Sequence, residues 1–169
     1  NTGMTEVRRS VAESEPPLPA ERELFIRQET NPSAYHNRFN KRMFNAGYAG
    51  LRPVLRQIAE ELRALRQTRS LAFCAAYCAG FENAATFSAQ YLLEGCEDLF
   101  EGAEPHGANL ILWHVAEEFE HRAVCHEGYH AVSGSYFLRI WGLAYAFWHI
   151  NYSFARCRKV ILAVFREGM

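Results

Sequence analysis

The sequence has almost no net charge: 18 Lys and Arg against 19 Asp and Glu leave −1 over 169 residues. So even a balance gives no general attraction to nucleic acid, and no nucleic-acid partner is expected. Cys74, Cys78, Cys96, Cys125 and Cys157 stand singly, with no Cys-x-x-Cys pair among them. An odd count set in apolar helical patterns argues against a disulfide framework and points to reduced thiols in a cytoplasmic protein. There is no Gly-rich phosphate loop, no Gly-x-Ser-x-Gly elbow, no strand pattern and no internal repeat. These absences set aside phosphate-loop and serine-hydrolase chemistry and leave an all-α chain. No secretory leader is visible, since the N-terminus is polar and then proline-rich. The chain begins with Asn1 rather than Met, and we expect an upstream piece to be missing.

What is present is apolar and helical. A hydrophobic share of 49% is enough for one domain of this length to bury a full core. Residues 1–19 form an irregular lead-in that ends in Pro16-Pro17-Leu18-Pro19, and residues 20–169 form a single helical domain. A first helix is expected from Ala20 to about Glu29. Asn31-Pro32 then kinks or restarts it toward Phe44, because proline removes a backbone donor and clashes with the preceding turn. Asn45 to Gly50 reads as a stop. From Pro53 to about Gln67, Val54, Leu55, Ile58, Leu62 and Leu65 share one face of an amphipathic helix. Residues 69–94 are more apolar, and Glu82 is the only carboxylate between Leu71 and Leu93. Small residues surround it, and a lone acid there is costly unless paired, hydrogen-bonded or metal-bound.

A Gly/Glu/Pro/His connection leads to the next helix, from about Ala108 to Val132, which carries the most informative stretch. Trp113-His114-Val115-Ala116-Glu117-Glu118-Phe119-Glu120-His121 packs two imidazoles and three carboxylates into nine residues. At about 100° per residue, His114, Glu117, Glu118 and His121 fall within an arc of about 100°, and Glu120 falls outside it. Glu118 and His121 make a Glu-x-x-His pair, the spacing with which helical bundles build carboxylate-bridged metal sites. The apolar neighbours Ile111, Leu112, Val115, Ala116, Phe119 and Val124 leave little exposed helix, which favours a metal role over a solvated charged face.

Ser133-Gly134-Ser135 closes that helix, and a final apolar helix runs from Tyr136 to about Arg166. Ile140 to Ala155 carries no formal charge, but these 16 residues are short for a membrane span. A core or interface helix is the stronger reading and peripheral membrane contact the weaker. The aromatic content of this helix leads us to expect a homodimer. His106, His126, His130 and His149 read as surface or satisfied core histidines.

Phe25-Ile26-Arg27-Gln28-Glu29 with His36 and Asn40, then Phe81-Glu82, then the Trp113 to His121 run resemble, in order, the bacterial family called predicted metal-dependent hydrolases. The resemblance spans roughly residues 20–135. It implies an all-α, ferritin-like helical bundle, here lacking its first helix, with a metal site drawn from Glu29, His36, Glu82, His114, Glu118 and His121. Glu127 takes a place where the family usually has Asp and is expected to play a supporting role. Two departures matter. Pro32 stands where the family carries a histidine, and the family's first helix, with its glutamate, is not recognisable near Glu6. One half of a paired Glu-x-x-His constellation is thereby lost.

Imidazole and carboxylate donors suit a divalent metal, with iron first and manganese or zinc as alternatives, in one or two ions. The expected function is metal-dependent hydrolysis of a small-molecule substrate, with Glu117 as candidate acid/base. A di-iron oxidase or oxygenase is the first alternative. The second is a non-catalytic or decayed homologue acting through its aromatic C-terminal helix.

Overall fold

The computed structural model describes residues 35–167, apart from the side chains of Glu97, Glu117, Phe119, Glu120, His121, Arg122 and Glu167. The expected lead-in, the helix expected to end at Glu29, the Pro32 break and the region of Glu6 lie outside the described residues. Residues 35–43 are α-helical (α1) and run into a π-helical turn, Phe44–Tyr48. The expected stop is there. Gly47 takes φ 101°, a left-handed conformation that costs glycine nothing and other residues 1 kcal/mol or so.

Helix α2 (Leu51–Thr68) begins two residues before Pro53, whose place in the first turn sacrifices no intrahelical donor. Its amphipathic pattern is realised: Leu51, Leu62 and Leu65 are buried while Arg56, Glu60 and Arg63 are exposed. Helix α3 (Leu71–Gly95) starts at Ser70, whose side chain accepts a hydrogen bond from the Phe73 N–H at 3.3 Å. A 3-10 turn, Glu97–Phe100, leads toward α4 (Pro105–Val132). That helix starts three residues before the expected Ala108. Glu104 caps the Gly107 N–H at 2.7 Å, and Pro105 occupies the first helical position, where its missing N–H costs nothing. Ser133-Gly134-Ser135 ends α4 as expected, and α5 (Tyr136–Glu167) follows. The Tyr129 hydroxyl donates to the Ser135 carbonyl, which ties the end of α4 to the start of α5.

The fold is an all-α helical bundle, with no strand among the described residues. Its centre is α3, which packs against both α4 and α5, while α2 leans mainly on α5. Every residue of α3 from Phe73 to Gly80 is buried, and with Leu62, Leu65, Cys125, Tyr129 and Ala146 they make the core. Each buried leucine contributes about 1.5–3 kcal/mol. Helix α4 is covered on one face only. Ile111, Trp113 and Ala116 are exposed, which corrects the expectation that apolar neighbours hide this helix, yet Val115 and Glu118 are buried. On α5, Phe137, Trp141, Phe147, Trp148 and Phe154 are exposed. No helix among the described residues is long and apolar enough to cross a membrane.

Two glycines set the spacing of α3 and α5. A Cβ on Gly80 would stand 2.6 Å from Leu143 Cα, and one on Gly142 would stand 2.5 Å from the Ala76 carbonyl carbon. Both obstacles are backbone atoms, which cannot swing aside. Gly80→Ala and Gly142→Ala should therefore each force the helices apart and destabilise the protein by about 1–3 kcal/mol in urea unfolding. Full stability in both variants would contradict the close approach.

Candidate metal centre

Three helices bring candidate donors together. Helix α3 carries Glu82, α4 carries His114 and Glu118, and α1 carries His36. Glu82 is fully buried, although Asn83 beside it and Phe87 further along α3 are exposed. Thr86, one turn on, joins the two carboxylate-bearing helices. Its hydroxyl donates to the Glu82 carbonyl at 2.9 Å and stands 3.4 Å from the Glu118 carbonyl. Ala79 and Ala89, on the same helix, are small and buried.

Glu118 is only 5% exposed, which makes it a core carboxylate although it belongs to a helix with an open outer face. Its Oε1 lies 3.2 Å from His114 Nε2, one helical turn earlier. Its Oε2 is buried with no hydrogen-bond partner among the described residues. The His36 ring meets the His114 ring edge-on at 4.7 Å, and His36 Nε2 is likewise buried without a described partner. Burial, with the His114 imidazole alongside, pushes the His36 pKa down to about 4, against a smaller upward pull from Glu118. His36 is therefore neutral at pH 7, the form that offers a lone pair to a metal.

Of the six expected ligands, His36, His114 and Glu118 adjoin one another, and Glu82 is buried on the facing helix. Glu29 lies outside the described residues, as do the side chains of His121 and the candidate acid/base Glu117. Among the described residues, no three His, Cys, Asp or Glu converge closely enough to form a metal-binding group. In donor chemistry and burial the four described residues fit a divalent cation; as a coordination shell they are incomplete.

The remaining histidines stand apart from this group. His126 and His130 meet edge-on at 4.6 Å, and burial lowers the His126 pKa. Glu127 and His106 are exposed. No disulfide joins the cysteines.

A second polar chain was not foreseen. The Tyr77 hydroxyl and His149 Nδ1 are 2.7 Å apart, and His149 Nε2 is 3.3 Å from Glu61 Oε2. Arg156 then grips both Glu61 oxygens at 2.7 Å. The Arg156 guanidinium, aided by His149 and opposed by burial, holds the Glu61 carboxyl below its usual range. The Tyr77 hydroxyl on one side and Glu61 Oε2 on the other give both ring nitrogens of His149 a partner. His149 is thus a satisfied core histidine. Its position in the charge-free stretch from Ile140 to Ala155 was the only sequence signal that it needed partners.

The model of the family described as predicted metal-dependent hydrolase matches residues 3–166. Neither the curated proteins nor the solved structures contain a significant match.

The Glu61 contact gives a pH prediction. A carboxyl with a lowered folded-state pKa adds stability that is complete above its unfolded value near 4.5 and fades as pH falls through the folded value. Glu61 is about a third exposed, so screening limits the gain to about 1 kcal/mol. Glu61→Gln should lose that amount at pH 7 in urea unfolding. It should match the parent in strong acid, whereas a constant gap at both pH values would show that ionisation is not its source.

Proposed function

The chain belongs to the family of predicted metal-dependent hydrolases, and from that membership we propose that the His36–His114–Glu118 group, with Glu82 facing it, is the metal-dependent hydrolytic centre. The observation that supports it most is His36, a neutral imidazole with a buried Nε2 beside the inward-facing, unsatisfied oxygen of Glu118. Such groups are costly in a core unless a cation or another partner compensates them. His36, His114, Glu82 and Glu118 would hold the ion, with Glu29 and His121 as further ligands from the ferritin-like arrangement that the sequence resembles. A divalent cation, when bound, supplies a lowered pKa for water and polarises a substrate carbonyl or phosphoryl oxygen.

The chain's own residues supply the rest. Two carboxyl donors beside two imidazoles make an oxygen- and nitrogen-rich donor set of the kind that divalent cations take. Packing of α3 against α4 excludes bulk water from Glu82 and Glu118, which strengthens every charge interaction between them. The Thr86 contact to both helices keeps the carboxylate-bearing turns opposite each other. Glu117, next to Glu118 in sequence, is the proposed proton acceptor.

The test is elemental analysis of the purified protein with an assay of ester hydrolysis. We expect about one divalent ion per chain, activity that chelation removes and the ion restores, and loss of both in Glu118→Ala/His121→Ala. Glu118→Gln, which keeps the side chain's size, should weaken metal binding while the circular dichroism of the helices is unchanged. Full metal occupancy in the double variant would sink the assignment. About two irons per chain with an oxo-bridge absorption band would move the reading to oxygen chemistry.

A further inference from the structure

A cavity of about 530 Å³ lies among α1, α2, α3 and α5, with the π-helical turn at its edge. Its size is that of a small-molecule site. His36 belongs both to its wall and to the candidate metal centre, so the two are contiguous. Most of the lining is apolar: Leu55, Ile58, Leu62, Phe81, Ile150 and Phe154. No carboxylate lines it among the described residues, and the exposed Arg56 contributes the one permanent charge. Tyr77 and His149 also border it, but they are bound to each other and, through Glu61, to Arg156.

We propose that this cavity holds the acyl chain of a medium-chain carboxylic ester, with the carbonyl end at His36. The inference rests on the hydrolase reading and names its substrate class. Two features of the cavity select the class, its apolar wall and its lone arginine. The aliphatic and aromatic wall gains about 25 cal/mol for each Å² of hydrocarbon it takes from water. A single arginine with no lining acid repels amines and accepts a neutral ester or the carboxylate released from it. Phosphate esters, which call for several cations around a dianion, are poorly matched by Arg56 alone. Hydrolysis needs water only. The water oxygen bonds to the acyl carbon, the acyl carbon–oxygen bond breaks, and a water proton ends on the departing alcohol oxygen.

The test is calorimetric titration of the full chain, metal-free and metal-loaded, with sodium decanoate, decanol and decylamine. Decanoate should bind saturably to both forms, and decylamine about tenfold more weakly, a gap of about 1.4 kcal/mol. Ala59→Phe, which pushes a ring into the cavity from α2, should weaken decanoate at least about tenfold while metal content stays unchanged. Arg56→Gln is an exposed change that the fold tolerates. It should weaken decanoate and leave decanol as it was. Decanoate binding untouched by Ala59→Phe, equal binding of decylamine, or no decanoate binding at all would each overturn the proposal. Because binding to the metal-free chain needs no reaction, decanoate binding without ester hydrolysis would remove the hydrolase reading and leave acyl recognition standing.

Discussion

The backbone contact between Gly80 on α3 and Gly142 on α5 controls the rest of the molecule. With both residues lacking a side chain, the two helices approach until a methyl group at either place would overlap main-chain atoms of the other. At that separation the lining of α3 must be small, and Ala75, Ala76, Cys78 and Ala79 supply it. The outcome is a central helix with no solvent face over two turns. A wider crossing would admit water beside α3 and turn its buried polar groups into ordinary half-exposed ones.

That enclosure sets the electrostatics of the candidate centre. Glu82 lies just beyond the enclosed stretch and is itself fully buried, so its carboxylate cannot reach bulk water. Glu118 enters the same region from α4, and His36 closes it from α1. Desolvation lowers the pKa of His36, since a charged imidazole there would lose its hydration and face its neighbour His114. A neutral imidazole beside buried acid oxygens is the combination that a divalent cation completes. His36 also belongs to the wall of the apolar cavity, which puts that space next to the candidate centre.

Where α2, α3 and α5 meet, polarity is handled differently. Tyr77, His149, Glu61 and Arg156 bond to one another in sequence, while the buried Arg156 Nε has no hydrogen-bond partner among the described residues. Arg156 also lies over the Tyr152 ring at 4.4 Å, and Tyr152 stacks on Trp148 at 5.6 Å. The network joins α2, α3 and α5 through directional contacts where the glycine crossing alone would fix only distance.

Much of this was legible in the chain itself. Periodicity placed α2, α3, α4 and α5 within a few residues, because amphipathic spacing and the Ser133-Gly134-Ser135 break are local properties. The early start of α4 was also written there: Glu104-Pro105 is a cap followed by a first-turn proline. Glu82 was recognisable as a buried acid because it stands alone in a long apolar run, and the helical arc of His114 and Glu118 follows from sequence spacing. Which face of α4 would be covered was not legible, for an apolar pattern says nothing about how many partners a helix has. The pairing of Tyr77 with His149 and of Glu61 with Arg156 spans 72 and 95 residues. So does the cavity draw on four separated segments. Sequence alone determined the helices and the donor types, since both depend on neighbours along the chain. Only tertiary structure decided which donors lose their water and which residues share a wall, because burial is a property of what the folded chain brings across from elsewhere.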